Sequence, residues 1–190
     1  AGALDQGDAE ALAASLQLSS RQLRRVVEAS FGATPIELAQ TRRLLLAKQL
    51  LTDTRLPMAV LAQAAGFGSV RRFNHLFTAR YGMAPSRLRQ RGGDEPLGDT
   101  FQLRLAYRPP LAWAYLLGFL TGRGAVGVEA SEGSSYLRTV AIGGHAGWLR
   151  AEPLADTSVL QITLSASLLP VLPQVLARLR RTLDLDAMPP

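Results

Sequence analysis

A pattern that occurs twice, 50 residues apart, constrains the fold of this chain more than any other feature. The first copy is Phe31-Gly32-Ala33-Thr34-Pro35, and the second copy is Tyr81-Gly82-Met83-Ala84-Pro85. Each copy follows an arginine-bearing segment with apolar residues at helical spacing, and each of those segments follows a turn that ends in serine. A duplicated helix-turn-helix unit explains this repeat better than chance.

The first half is predicted to be helical throughout. We expect a short helix over 8–16, a turn over 18–20 with serine N-caps, and a helix over 21–31 that ends at Gly32. The elements predicted after it are a long helix over 35–52, a short helix over 57–65, a turn over 66–69, a helix over 70–80 ending at Gly82, and a short helix from Pro85.

The net positive charge of the chain comes entirely from this helical half. Residues 1–91 carry 13 Lys or Arg and 6 Asp or Glu, a net +7, whereas residues 92–190 carry 8 and 9, a net −1. All the basic residues except Lys48 are arginine, which can contact phosphate and guanine through two hydrogen bonds. The first half is therefore predicted to bind a polyanion.

A helix that follows such a turn can lie in the DNA major groove and present side chains to base edges. Serine caps at Ser20 and Ser69 would offer backbone N–H groups to phosphate. The residues predicted to contact DNA are Ser20, Arg21, Gln22, Arg24, Arg25, Ser69, Val70, Arg71, Arg72, Asn74 and His75.

Simpler explanations exist for some of these residues. Arg25 or Arg72 could instead pair with an acidic neighbour, and an arginine-rich helix alone is usually a solvated face. His75 is predicted to contact the groove or a phosphate rather than a metal, because no ligand partner lies at helical spacing. The remaining apolar positions of the two units are predicted to be core: Leu23, Val26, Val27, Phe67, Phe73, Leu76 and Phe77.

The second half is predicted to be an α+β domain with an antiparallel sheet. Thr100–Tyr107 alternates as a half-buried strand does, and 111–123 is an apolar helix with Trp113, Leu116, Leu117 and Leu120 on one face. Further strands are expected at 126–130, 135–142, 147–152 and 159–164, with a closing amphipathic helix at 170–183.

Several classes of site are excluded or disfavoured by the residue content. The chain has no cysteine, so disulfides, thiolate metal sites and a cysteine nucleophile are excluded. No apolar run reaches the roughly 18 residues that a spanning helix needs, and no signal peptide stands out. We expect no catalytic residue, metal or cofactor, no membrane association and a cytoplasmic location. Asp184 and Asp186 are interpreted as capping and solubilising residues.

Residues 8–90 resemble the AraC-type DNA-binding domain, which has two helix-turn-helix units. The resemblance implies duplex DNA as partner and, for a transcription regulator, RNA polymerase. Arg72-Phe73-Asn74 is similar to the Ada-type branch, which regulates the response to DNA alkylation, whereas Val27 departs from the aromatic that the family often has. The carrying residues are 12–25, Leu61–Ser69, Arg72–Phe77 and Tyr81–Pro85.

Residues 100–190 resemble the N-terminal domain of AlkA-type 3-methyladenine DNA glycosylases. The resemblance implies a sheet with helices like that of the TATA-binding protein, placed before a helix-hairpin-helix catalytic domain that carries the catalytic aspartate. The carrying residues are 107–110, Trp113, 116–120, 127–129, Tyr136, Arg138, 143–144 and 179–186.

Together these resemblances predict a double helix-turn-helix domain over 1–91, a linker over 92–99 and a glycosylase N-terminal domain over 100–190. We expect a fragment of a fused alkylation-response protein that binds duplex DNA and excises no base, with a catalytic domain after Pro190 and a cysteine-rich module before Ala1. The second domain is then a spacer that orients the catalytic domain. The alternative is a regulator whose second domain senses a small molecule through Trp113, Tyr115, Tyr136 and Trp148.

Overall fold

The structure is a computed structural model, and it describes residues 9–89 and 94–187. The first half consists of helices. Their bounds are α1 Ala9–Ser15, α2 Ser20–Phe31, α3 Pro35–Asp53, α4 Met58–Ala64, α5 Val70–Tyr81 and α6 Pro85–Leu88. The helices predicted from the repeat are therefore all present, each within one or two residues of its predicted ends.

Local signals explain where the longer helices begin and end. Thr34 caps α3 in a capping box, because its hydroxyl accepts from the Glu37 backbone N–H while the Glu37 carboxylate accepts from the Thr34 N–H. Helices α2 and α5 both end at a glycine in the left-handed region, Gly32 with φ 66° and Gly82 with φ 68°. Both positive φ values agree with the sequence pattern.

The second half contains one five-stranded antiparallel sheet with strand order β1-β5-β4-β3-β2. Strand β1 alternates exposed and buried residues along its length, which confirms the predicted half-buried strand. The bounds are β1 Thr100–Ala106, β2 Glu129–Glu132, β3 Ser135–Ile142, β4 His145–Pro153 and β5 Val159–Ser165.

The helices of this half are α7 (Trp113–Arg123) and α8 (Leu172–Thr182), the latter preceded by a 3₁₀ helix over Ala166–Val171. Helix α8 buries Leu172, Val175, Leu176 and Leu179, as its amphipathic pattern predicts. Helix α7 contacts β2, and none of its residues is fully buried. Its predicted apolar face is half-buried.

Two predictions for this half were wrong in detail. The strand predicted at 126–130 begins only at Glu129, because the chain turns at 126–128 with Gly127 at φ 81°. The closing helix predicted as continuous over 170–183 is a 3₁₀ helix up to Val171 and an α-helix only from Leu172. Pro170 lacks the N–H that a helix interior requires, which is consistent with this break.

The two halves share one continuous apolar core, and α3 contacts the edge strand β1. The Arg104 backbone N–H donates to Asp53 Oδ2 at 3.0 Å, and Gln49 Nε2 donates to the Arg104 carbonyl at 2.5 Å. Polar groups on the free edge of β1 are thus paired with side chains of α3 instead of remaining open to another strand. These contacts hold the sheet directly against the long helix of the first half.

The segment that follows the helical half also returns to it. Residues 90–93, which include the start of the predicted linker, lie outside the described residues. After them, Asp94 Oδ2 accepts from the Met58 backbone N–H at 3.1 Å. Arg55 pairs with Glu95, and the largely buried Arg89 pairs with Asp94 and donates to the Leu56 carbonyl at 2.6 Å. Burial lowers the pKa of Arg89 from its ordinary value.

Over 9–89 and 94–187, no helix is long and apolar enough to span a membrane.

Candidate nucleic-acid interface

The first candidate recognition helix, α2, is capped by Ser19 and not by Ser20 as predicted. The Ser19 hydroxyl accepts from the Gln22 backbone N–H at 3.3 Å, and Gln22 Oε1 accepts from the Ser19 backbone N–H at 2.9 Å. Ser20 is the first residue of the helix. Two adjacent serines have the same capping propensity, so the sequence could not distinguish them, although Gln22 three residues after Ser19 is the capping-box signal.

This cap also changes the role of Gln22, which was predicted to contact a base. Its side-chain oxygen is occupied by the backbone N–H and the hydroxyl of Ser19. Gln22 therefore stabilises the start of the helix in the free protein. A base contact would require its amide nitrogen or a rearranged side chain.

The three arginines of α2 are exposed but not equivalent. Arg24 Nε lies 2.9 Å from Glu28 Oε1, one helical turn later, and this contact raises the pKa of Arg24. Arg21 and Arg25 have no ion pair within 9–89 and 94–187. A structural pairing of Arg25 with an acidic neighbour is therefore not supported, whereas Arg24 does pair with one.

The apolar side of α2 is less buried than the pattern predicts. Leu23 is buried and Val27 is half-buried, but Val26 is 52% exposed, so the prediction that Val26 belongs to the core was wrong. Val26 lies one residue, or about 100°, around the helix from Val27, and it therefore points away from the side that packs.

The second candidate recognition helix, α5, is capped by Ser69 as predicted. The Ser69 hydroxyl accepts from the Arg72 backbone N–H at 3.2 Å. Arg71, Arg72, Asn74 and His75 are exposed, while Val70 packs partly against the core. Neither Arg71 nor Arg72 has an ion pair in the described part of the chain.

The opposite face of α5 packs through a row of tilted and edge-to-face aromatic rings. Phe73 and Phe77 are fully buried, with ring centroids 5.5 Å apart, and Phe67 and Tyr81 extend the stack at 5.2 and 4.5 Å. The Lys48 ammonium lies 5.6 Å from the Tyr81 ring. The exposed side chains of α5 are therefore presented from a rigid base.

The two helices are equivalent position by position at an offset of 50 residues. Both have 12 residues, a serine N-cap and a glycine in the left-handed region at the end. Arg21 corresponds to Arg71, and Arg24 and Arg25 correspond to Asn74 and His75. Each unit thus presents arginine side chains and one amide side chain, Gln22 or Asn74, next to backbone N–H groups at the start of its helix. Such donors are suited to phosphates and base edges.

The turns before these helices differ by one residue, a difference that the 50-residue repeat does not reveal. The Leu18 N–H donates to the Ala13 carbonyl at 2.8 Å, and the Phe67 N–H makes the same bond to Ala62 at 2.9 Å, an offset of 49. The left-handed position is therefore Gln17 (φ 56°) in the first unit and Gly66 (φ 86°) in the second. A side chain is strained in this conformation, so the first turn is the less favourable one.

The acidic side chains of the second half do not gather into a metal-ligating group over 94–187. No group of three or more metal-ligating side chains occurs among the residues that the structure describes. Asp186 pairs with Arg180 after α8, and hydrogen bonds from Arg180 lower the pKa of its carboxyl. This contact agrees with a structural interpretation of Asp186.

The aromatics considered for a small-molecule pocket do not converge. Tyr136 is fully buried, and its hydroxyl donates to Glu129 Oε1 at 2.5 Å. Burial and this contact raise its pKa to about 12. Trp113 Nε1 donates to the Ser134 carbonyl at 2.7 Å. Tyr115 is 77% exposed and Trp148 is 42% exposed, so this arrangement gives no support to the sensing alternative.

Comparison with known families matches each half of the chain to a different family. The family described as a helix-turn-helix domain matches residues 12–91. The family described as the AlkA N-terminal domain matches residues 102–190.

Individual relatives agree with this division. A probable bifunctional transcriptional activator/DNA repair enzyme AlkA of Mycobacterium tuberculosis H37Rv is 33% identical over 99% of the chain and 38% of its own length. The DNA-3-methyladenine glycosylase 2 of Escherichia coli K12 is 39% identical over 45% of the chain and 30% of its own length. The chain thus spans about two fifths of the bifunctional relative.

Among solved structures, a transcriptional regulator with an AraC-type DNA-binding domain from Chromobacterium violaceum is 27% identical. That similarity covers 43% of this chain and 73% of the other, with a TM-score of 0.40.

Proposed function

We propose that the chain, which matches a helix-turn-helix domain over 12–91 and the AlkA N-terminal domain over 102–190, is the targeting part of a DNA alkylation-response protein. It binds duplex DNA through α2 and α5. One observation carries the proposal: two equivalent capped helices present exposed arginines, Arg21, Arg25, Arg71 and Arg72, that have no acidic partner in 9–89 and 94–187.

Each unit acts on DNA in two ways. Backbone N–H groups at the start of α2 and α5, next to Ser20 and Ser69, contact phosphates and set the register of the protein on the duplex. The side chains of the first turns reach base edges in the major groove. Helix α3 fixes the separation of the units, so that they enter successive major grooves about 34 Å apart on one face of the DNA.

The proposed base contacts are divided between the two helices. Arg21, Arg25, Arg71 and Arg72 have free guanidinium groups for guanine or phosphate, and Asn74 suits adenine. His75 contacts the groove wall or a phosphate, and Val70 offers an apolar contact at the start of α5. Arg24 contributes through the N–H groups that Glu28 leaves free or by releasing Glu28, and Gln22 through its amide nitrogen or by releasing Ser19.

The AlkA N-terminal domain has a supporting role in this proposal. It orients a glycosylase catalytic domain of the full protein on alkylated DNA, and it contributes no catalytic residue itself. Its sheet, with α7 and α8, is consistent with the TATA-binding-protein-like arrangement that the family resemblance implies. In this proposal the full protein acts in the cytoplasm and activates transcription, the activity that the name of the bifunctional relative gives for that relative. Its proposed partner in activation is RNA polymerase.

Duplex selection followed by titration tests the proposal. A duplex recovered from a random library by the chain is labelled with a fluorophore, and its affinity is measured by anisotropy. Replacing both Arg71 and Arg72 by alanine should weaken binding by about 1–3 kcal/mol for each base that these side chains read. The control, Arg123→Ala on α7, removes one exposed arginine far from α5 in the sequence and should bind as the unmodified chain does. Equal affinity of all three proteins would contradict the proposal.

A further inference from the structure

Three arginines that take no part in the proposed recognition helices lie together where the two halves meet. Arg43 is on α3, and Arg178 and Arg181 are on α8. Arg43 and Arg178 line one groove, Arg43 and Arg181 a second, and Arg178 and Arg181 a third of about 430 Å³ beside β3. Each pair of the three thus lines a shared groove, and we call them the junction arginines.

The junction arginines lack counter-charges. None of the three has an ion pair within 9–89 and 94–187, and the Nε of Arg43 is buried without a hydrogen-bond partner there. Asp186, which lines a groove with Arg43 and Arg181, already pairs with Arg180. Three neighbouring cations without an anion repel one another, and a buried unpaired donor costs free energy. An anionic ligand would remove both penalties.

The position of the junction arginines indicates which anion. Arg43 Nε lies 3.3 Å from the point where a Cβ on Gly66 would stand. Only Phe67 and Gly68 lie between Gly66 and Ser69 at the start of α5, so at most about 11 Å of extended chain separates them. Gln63 and Ala64 of α4 line the same groove as Arg43 and Arg178. In a helix-turn-helix unit the first helix, here α4, crosses the phosphate backbone.

We propose that the junction arginines bind phosphates of the DNA backbone, so that the second domain takes part directly in holding the duplex. This inference rests on the proposed DNA binding and extends it to a domain that neither the charge balance nor the recognition helices implicate. Arg178 and Arg181 reach the backbone from α8, and Arg43 joins their site to the second helix-turn-helix unit. Contacts of this kind add affinity and fix orientation without reading sequence.

The salt dependence of binding tests this inference, because each phosphate contact contributes about 0.9 to the slope of log affinity against log salt concentration. The slope is measured with the selected duplex for the unmodified chain and for the variant with both Arg178→Gln and Arg181→Gln. The slope of this variant should be smaller in magnitude by about 1.8. Arg123→Gln is the control, since α7 contacts β2 at the opposite edge of the sheet from β1. It should leave the slope unchanged.

Thermal unfolding shows whether the double variant is folded, and both side chains are exposed. An unchanged slope in the folded variant overturns the inference. If in that case inorganic phosphate also raises the melting temperature of the unmodified chain, the junction arginines bind a free anion and not the DNA backbone. If the unmodified chain binds no duplex, the proposed function itself fails. If binding depends on Arg71 and Arg72 but not on Arg178 and Arg181, only this inference fails.

Discussion

The second helix-turn-helix unit has an aromatic core and the first does not, although their recognition helices begin and end at equivalent residues. Phe73 and Phe77 are fully buried, while the equivalent positions hold Leu23 and Val27, and Val27 is only half-buried. Tyr81 packs on Phe77, whereas its counterpart Phe31 is 70% exposed. A helix-turn-helix unit of this chain can therefore keep its exposed arginines and its serine and glycine caps without the buried aromatic core.

The two units also differ in how they meet the rest of the molecule. The core residues of α4 and α5 belong to the apolar cluster that continues into the sheet domain, and α4 contacts the 3₁₀ helix of that domain. Helices α1 and α2 contribute Ala13 and Leu23 to the buried set but no member to that cluster. We therefore expect the second unit to be rigid in the free protein and the first to open at a lower free energy.

The largest expected effect comes from truncating the core of the two units at matched positions. Phe77→Ala should lower the free energy of unfolding by about 3–5 kcal/mol, because it leaves a large cavity. Val27→Ala removes less area from a half-buried site and should cost about 1 kcal/mol. Urea denaturation of both variants measures the difference. Equal losses would show that the first unit has a core as tightly packed as the second.

The next effect concerns DNA affinity and the one arginine of α2 that has an acidic partner. Arg71→Ala and Arg21→Ala should each weaken binding of the selected duplex by about 1–3 kcal/mol if both contact bases. Arg24→Ala should cost less, because Arg24 gives up its contact with Glu28 when it turns to DNA. Anisotropy titrations at one salt concentration rank the three variants. A loss for Arg24→Ala greater than that for Arg21→Ala would contradict the ranking.

The caps should contribute equally in the two units. Ser19→Ala and Ser69→Ala should each lower stability by about 1 kcal/mol, since each removes a hydroxyl that accepts from the first turn of its helix. Chemical denaturation measures the loss. Ser20→Ala serves as the control beside Ser19, and it should change stability by less than about 0.5 kcal/mol. A larger loss for Ser20→Ala than for Ser19→Ala would restore Ser20 as the cap.

The smallest effect should have the opposite sign. Gln17→Gly places glycine at the left-handed position of the first turn, as Gly66 does in the second. The strain that glycine removes from the folded chain should outweigh the backbone entropy that it adds to the unfolded chain. The variant should therefore be more stable by about 0.5–1 kcal/mol. Urea denaturation measures the change, and Gln17→Ala, which keeps the strain, is the control. Destabilisation by glycine would show that Gln17 makes a contact worth more than its strain.

Most of the helical half could be predicted because its signals are local and occur twice. Serine caps, glycines at helix ends and prolines at helix starts each act within one turn, and the second copy verifies the first. The choice between Ser19 and Ser20 and the left-handed Gln17 depend on backbone geometry that adjacent residues of similar propensity do not reveal. Arg43, Arg178 and Arg181 come together only through the contact between α3, α4 and the sheet domain, and no local pattern encodes that docking.

Hydroxyl-radical footprinting on the selected duplex tests most directly whether both units bind DNA. The radicals report which sugars of the backbone are covered, independently of any substitution in the protein. Two protected segments about 10 base pairs apart on one face of the duplex are predicted, because the proposed binding places α2 and α5 in successive major grooves. A single protected segment, or two segments on opposite faces, would contradict recognition by a matched pair of helix-turn-helix units.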